Sequence, residues 1–398
     1  MKIESIRLKN YKLFNEIELN HLPKFCLLIG ANGTGKTTLF DVFGFLKDCL
    51  TYNATKAIQN RGGFDEMISR GAREPVIQIE IKYRMRITGK ERLITYFLAI
   101  TREERQIIIE REILRYKRGR YGMPFHFLDF SRGEGWAIVN EEDFDKTEEE
   151  LTRENQSLGK ADILAVKGVG QFARFKAANA LRQLIENWHI SDFHIKLARG
   201  SKDISGDADH LSVTGDNLQL VANRMFENDT QDGTFSKIIE QMKRRVPGIE
   251  SIEPEQTRDG RLLLKFKDGA FQDPFIDKYV SDGTIKMFAY LILLHDPQPH
   301  PLLCIEEPEN QLYPKLLWEL AEEFRAYAQR GGQVFVSTHS PALLNAARVE
   351  EVFWLVKKNG YTQVKCAQDD PQISAYMAQG DQMGALWEQG FFTDADPP

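Results

Sequence analysis

The segment FCLLIGANGTGKTTLF, Phe25 to Phe40, constrains this chain more than any other. FCLLI is an uninterrupted apolar run suited to a strand buried on both faces, and LFDVFGFLKDCL, Leu39 to Leu50, reads as a helix. Between them Gly30, Gly35, Lys36 and Thr37 satisfy the pattern G-x-x-x-x-G-K-[ST]. A strand, a glycine-rich turn and a helix N-terminus in that order make an anion trap, because backbone N–H groups and the helix dipole face the same oxygens. Lys36 is expected to neutralise β- and γ-phosphates and Thr37 to offer its hydroxyl to Mg²⁺. Gly33 and Gly35 allow close backbone approach, and Asn32, Thr34 and Thr38 complete a loop whose expected ligand is ATP with Mg²⁺.

The rest of the chain sets that loop in an α/β frame. Ile6 and Leu8, then Ile17 and Leu19, alternate with charged neighbours, as strands with one buried face do. VIQIEIKY, LITYFLAI and QIIIEREILRY, between Arg73 and Lys117, are β-branched and predict an antiparallel sheet. The acidic stretch Glu134 to Glu154 predicts a solvated loop. Helical spacing follows from Phe172 to Trp188, then at Asp216–Asn228 and Thr234–Arg245, ending at Pro247 and Gly248. After Gly283 the chain alternates helix TIKMFAYLILLH, strand PLLCI, helix KLLWELAEEFRAYAQ, strand QVFVST and strand VFWLV, the pattern of a parallel sheet flanked by helices. We therefore divide it into residues 1–72 and 249–398, two parts of one nucleotide-binding core, with an antiparallel β lobe at 73–130 and an acidic loop and helical insertion at 131–248.

Composition adds exclusions. A formal net charge of -6 over 398 residues argues against a surface that coats nucleic acid indiscriminately. Cys26, Cys49, Cys304 and Cys366 show no metal or disulfide spacing, so a reduced cytoplasmic setting is expected. The longest apolar run, FAYLILL, is too short to span a bilayer, and no membrane partner is expected.

Downstream residues narrow the chemistry. PLLCIEEPEN ends an apolar run with Glu306, placed for Mg²⁺, and Glu307, placed to polarise an attacking water. VSDGT puts Ser281, Asp282, Gly283 and Thr284 before a helix; alone this reads as an N-cap, but beside the other motifs it reads as a second anion site. VSTHSP ends another strand with His339, within reach of a γ-phosphate or the attacking water.

GANGTGKTT, VSDGT, LLCIEEPENQLYP and VSTHSP, in that order, resemble the ABC-type ATPase heads of the SMC, RecF and OLD group, and most of all the compact bacterial OLD-like ATPases of the AAA family that lack a Toprim domain. IESIRLKNYKLF resembles the same group, so the likeness touches both ends of the chain. It implies an α/β P-loop head with a mostly parallel core sheet, an antiparallel β lobe and a helical insertion. It further implies a head-to-tail homodimer, extendable to higher oligomers, with ATP between Lys36 of one protomer and Ser281 to Thr284 of the other. By position Glu307 becomes the catalytic base, Glu306 the metal-side acid, His339 the switch histidine and Asn310 to Leu312 the D-loop, while Tyr11 and Lys12 flank the nucleotide. Glu306 stands where Asp is usual, Tyr313 where many relatives have His before Pro314, and Gln171 is only a candidate for the Q-loop.

The function expected from this is an ATP-driven sensor or clamp for nucleic acid or a protein effector, in anti-phage defence or DNA repair. OLD nucleases continue into a Toprim domain; the stretch after Val356 is too brief for one, so a nuclease or toxin-like effector is expected as a separate chain. DNA or RNA contact is expected at REILRYKRGRY, with Arg115, Lys117, Arg118 and Arg120, and at Arg244 and Arg245; a solvated strand edge explains the first cluster equally well. Two rivals stay open. A transporter's nucleotide-binding subunit shares the motif order, although the Lys36-to-Ser281 interval is long for that class and VSDGT lacks the second glycine and glutamine of LSGGQ. A catalytically idle ATP-dependent scaffold is the other.

Overall fold

The computed structural model describes residues 1–87, 89–117, 124–139, 150–203 and 209–395. The chain forms two compact units, Met1–Trp188 with Arg348–Pro398, and His189–Ala347.

In the first unit, β1 (Lys2–Tyr11) and β2 (Phe14–Leu19) are followed by β3 (Phe25–Ile29), every residue of which is buried. Helix α1 (Lys36–Thr51) buries Leu39, Phe40, Phe43, Leu46 and Leu50, each burial being worth about 2 kcal/mol. Two short helices, α2 (Ala54–Gln59) and α3 (Phe64–Met67), lead to β4 (Val76–Ile87), β5 (Lys90–Glu103) and β6 (Gln106–Tyr116), where the sequence predicts strands. The strand period shows directly in β4, whose Ile77, Ile79, Ile81 and Tyr83 are buried while Gln78, Glu80 and Lys82 between them are half-exposed. β7 (Phe125–Ser131), β8 (Glu134–Ile138) and β9 (Arg153–Ser157) extend this into an eight-stranded antiparallel sheet of order β2-β1-β4-β5-β6-β7-β8-β9. The acidic stretch expected to be a loop thus begins in one strand and ends in another, Ile138 facing Arg153 and Glu134 facing Ser157. Pairing, not apolarity, makes these strands: β9 has no fully buried residue. Helices α4 (Ala165–Val169) and α5 (Lys176–Glu186) complete this limb, and α5 buries Leu181, Leu184 and Ile185.

The second unit opens with β10 (His189–Ser191) and the two-residue β11 (Lys202–Asp203). Helices α6 (Leu218–Asp232) and α7 (Thr234–Arg245) stand where the spacing predicts them. They are followed by β12 (Ile249–Gln256), β13 (Arg261–Asp268) and β14 (Phe275–Ile276); β13 pairs antiparallel with β11, β12 and β14 in a small sheet that the apolar pattern does not announce. Then come α8 (Asp282–Leu294), β15 (Leu303–Glu306), α9 (Leu316–Gln329), β16 (Val334–Ser337) and the single turn α10 (Pro341–Leu344). β15 pairs parallel with both β10 and β16, as strands joined through helices must.

The chain then returns to the first unit. β17 (Val352–Lys358) pairs parallel with β3 and antiparallel with β18 (Tyr361–Cys366), and α11 (Pro371–Gln379) and α12 (Met383–Glu388) follow. Cys26, Cys49 and Cys304 are buried and Cys366 is half-buried, and none of the four is in a disulfide. Among the described residues no helix is long and apolar enough to cross a membrane.

Candidate functional site: a phosphate loop and an acidic turn

Gly30 to Thr38 leave the end of β3 and enter α1. Gly30, Gly33 and Gly35 take φ of 142°, 77° and 103°, left-handed values that other residues reach only with strain. A Cβ on Gly30 would stand 2.4 Å from the Leu355 carbonyl oxygen, so only glycine fits where β3 lies beside β17. The loop is pinned from both sides: Thr34 Oγ1 donates to the Ala31 carbonyl at 2.8 Å, and Thr362 Oγ1 on β18 donates to the Thr34 carbonyl at 2.7 Å. Lys36 Nζ is folded inward, donating to the Gly30 carbonyl at 2.6 Å and the Ala31 carbonyl at 3.1 Å. Asn32, Gly33 and Thr37 are exposed and Thr38 is half-buried. No acidic residue stands in the first turn of α1, so nothing opposes an anion at its N-terminus.

Tyr11 and Lys12, which the resemblance sets beside the nucleotide, both contact Asp41 of α1. Tyr11 is fully buried, and its hydroxyl donates to Asp41 Oδ2 at 2.8 Å. Lys12 Nζ reaches the same oxygen at 2.5 Å, and Arg61 Nε donates to Asp41 Oδ1 at 2.7 Å. A carboxylate sunk in α1 must gather donors and cations, and this one takes the Tyr11 hydroxyl, Lys12 and Arg61. Burial alone would raise its pKa, but Arg61 and Lys12 hold it below the usual aspartate value. The cluster therefore fastens β1 and α2 to the helix behind the phosphate loop.

In the second unit β15 ends on half-buried Glu306, and Glu307 turns the chain with a φ of +43°. That left-handed residue is held by its N–H on the Ser337 carbonyl at 2.9 Å. Its carboxylate accepts from Asn310 Nδ2 at 2.8 Å through Oε2, and Oε1 lies 3.6 Å from His339 Nε2. Glu307, Asn310 and His339, singled out separately in the sequence, thus meet. Glu309, to which the sequence reading assigns no role, accepts at Oε1 from Thr338 Oγ1 and from the His339 backbone N–H, both at 2.7 Å, and so fixes the loop carrying His339.

The third segment faces the same turn. Ser281 caps α8, its Oγ accepting from Thr284 N–H at 3.2 Å and lying 2.7 Å from Thr284 Oγ1; this is the N-cap that VSDGT predicts by itself. Ser281 and Asp282 are exposed. Asp282 is paired with the Arg199 guanidinium, which also donates to the Asp277 carbonyl at 2.8 Å. A Cβ on Gly283 would stand 2.5 Å from the Gln311 carbonyl oxygen, so the helix tip rests against the chain just after Asn310. Leu312 is buried and Tyr313 is 65 % exposed. Lys286, which no sequence motif includes, sends Nζ to the Asn310 carbonyl at 2.9 Å and the Glu307 carbonyl at 3.4 Å. Its burial lowers its pKa to about 8, against the pull of Glu309 and Glu307. A lone lysine inside IKMFAYLILL was the available signal.

Other predicted residues fall elsewhere. Gln171 is exposed between α4 and α5. Of the basic cluster, Arg111 pairs with Asp129 at 2.6 Å and Arg115 with Glu80 at 3.2 Å, while Arg118 and Arg120 lie outside the described residues. Arg244 pairs with Glu240. Arg245 is buried, donating to Glu319 at 2.9 Å and Glu323 at 2.7 Å, so it is a packing residue and not a phosphate anchor. Burial would raise the Glu323 pKa, but hydrogen bonds from His295 and Arg245 bring it to about 2.

The phosphate loop fits a triphosphate: its glycines leave no side chain in the cradle, and its lysine sits at the centre, exchangeable from carbonyl to phosphate oxygen. Among the described residues no group of three His, Cys, Asp or Glu gathers that could hold a metal by itself. The exposed Thr37 hydroxyl is a hard oxygen beside the cradle, and a Mg²⁺ that completes its shell with phosphates and water needs little more from the protein. Strand, loop, helix, acidic strand and capped helix together define a P-loop ATPase of the ABC type. Residues 25–345 match the family described as "AAA domain, putative AbiEii toxin, Type IV TA system", and the chain belongs to it. Its fold is that of SMC heads: it is similar to the Smc head bound to the C-winged helix domain of ScpA, at TM-score 0.53 and 14% identity over 92% of this chain and 97% of that one. It is also similar to the Smc head with an extended coiled coil bound to the C-terminal domain of ScpA, from Pyrococcus furiosus, at TM-score 0.50 and 13% identity over 95% and 98%. No curated protein matches the chain by sequence.

Proposed function

We propose that this chain hydrolyses Mg²⁺·ATP and uses the nucleotide to close a homodimer that engages a protein effector. The observation that carries hydrolysis is the Glu307 turn: a non-glycine residue held at a φ of +43°, its carboxylate anchored at 2.8 Å by Asn310 and lying 3.6 Å from His339. Strain of this kind costs about 1–3 kcal/mol and persists where a side chain must be aimed. In this reading Lys36 and the loop N–H groups grip the β- and γ-phosphates; Thr37 and Glu306 would hold a Mg²⁺, which would supply charge neutralisation there. Glu307 takes the proton of the attacking water, and His339, its loop fixed by Glu309, orients that water or the γ-phosphate. Ser281, Gly283 and Thr284 offer hydroxyls and a helix N-terminus to the nucleotide of a second protomer.

The effector reading is supported by the Smc heads, described as bound to ScpA domains, and by the toxin-system wording of the family description. We place this activity in bacterial defence or DNA repair as part of the proposal, a reading that the toxin-system wording of the family description supports on the defence side. Direct nucleic-acid binding has less support, since Arg111, Arg115, Arg244 and Arg245 are all engaged by carboxylates. Glu307→Gln tests the core of the proposal. Phosphate release should fall by about a hundredfold or more with ATP affinity kept, and ATP should shift the variant to dimer size in light scattering. Undiminished turnover, or a variant that stays monomeric at saturating ATP, would refute it.

A further inference from the structure

We propose that Lys286 is a positioning residue that makes the seating of the signature helix set the aim of Glu307; this rests on the ATPase reading above. Every residue of α8 from Thr284 to Leu294 is buried, and among these Lys286 alone is charged. A buried ammonium loses its hydration, and packing favours an apolar residue unless the charge has a task. Here Nζ binds no carboxylate among the described residues; it binds two backbone carbonyls, those of Asn310 at 2.9 Å and Glu307 at 3.4 Å. These carbonyls belong to the turn whose residues Glu307 and Gln311 both stand at positive φ, 43° and 67°. Such a turn relaxes unless something holds it.

The hold is two-point. Gly283 and Lys286, three residues apart and so on one face of α8, press on the Gln311 carbonyl and bind the Asn310 and Glu307 carbonyls respectively. Asn310 in turn holds the Glu307 carboxylate at 2.8 Å. A shift or rotation of α8 therefore reaches the catalytic oxygen through two polar contacts. Ser281 and Asp282, at the exposed tip of the same helix, are where a second protomer's nucleotide would be felt. Lys286 thus couples occupancy of one nucleotide site to the readiness of the other.

The test compares native chain, Lys286→Met and Glu307→Gln in steady-state ATP turnover, with ATP affinity measured by fluorescent-nucleotide displacement. Methionine keeps the length and removes the donor. The expected result is a kcat lower by about tenfold or more, with KM and affinity within about threefold of native. Lys286→Gln, which keeps an uncharged N–H donor group, should lie between native and the methionine variant, and serves alone if the methionine variant does not fold. Native-like kcat in the variants, or a loss confined to KM, would overturn the inference while leaving the ATPase reading standing. A native chain without turnover, in a preparation that binds ATP, would overturn both.

Discussion

Glu112 makes the stability of the first unit depend on pH in a direction opposite to most carboxylates. It lies on β6, fully buried, where Oε1 accepts from the Tyr96 hydroxyl and the Val166 N–H, each at 3.0 Å, and Oε2 accepts from the Ala165 N–H. Burial pushes its pKa up to about 7, and the three donors pull it back only in part. The folded protein therefore binds this proton more tightly than the unfolded chain, whose glutamates titrate near 4.5. The stability it contributes is fully present below pH 4.5 and is lost as pH rises through 7. The shift is worth about 3 kcal/mol between those limits. Glu112→Gln removes the titration while keeping shape. The assay is the urea midpoint of native and variant at pH 5, 6, 7 and 8, with amide exchange at Ala165 and Val166 as a local readout. The native protein should lose stability relative to the variant as pH rises, by about 3 kcal/mol in all. Whether the variant is better or worse at pH 5 is a separate matter, because its NH₂ must face a donor. A difference that stays flat with pH, or slopes the other way, would show that the three donors outweigh desolvation and refute the reasoning.

Other outcomes follow from the same contacts. Gly30→Ala puts a methyl group 2.4 Å from the Leu355 carbonyl oxygen at a φ of 142°, so nucleotide binding should drop below detection in displacement titrations while Glu307→Gln binds normally. Arg245→Ala strips the largely buried Glu323 of one of the two partners that hold its pKa near 2, and should cost about 3 kcal/mol at pH 7 in thermal or urea unfolding. The native Glu323 contribution is present above pH 4.5 and fades as pH falls toward 2, so the variant's deficit should shrink in acid.

What the sequence discloses and what it hides divide along one physical line. The phosphate loop is legible because its function resides in consecutive backbone groups, which demand glycines at fixed offsets; β4, β5 and β6 are legible because one-sided burial writes an alternation into the chain. β9 and β12 are hidden because RENQS and IESIEPEQ are strands by virtue of their neighbours, and Pro254 within β12 argues against pairing on local grounds alone. The contacts of Tyr11 and Lys12 are hidden for the same reason: their partner, Asp41, is distant in sequence, and an exposed-looking lysine beside a tyrosine carries no mark of the carboxylate that takes both. Arg245 repeats the case with Glu319 and Glu323. The acidic turn after β15 lies between these extremes. Glu306, Glu307 and His339 stand in recognisable strings, but Glu309 and Lys286, which hold the Glu307 turn and the His339 loop, act largely through carbonyls and N–H groups that every residue possesses. Motifs therefore mark the atoms that touch a ligand, while the atoms that hold those in place are marked only by a charge buried where packing alone would have put a methyl group.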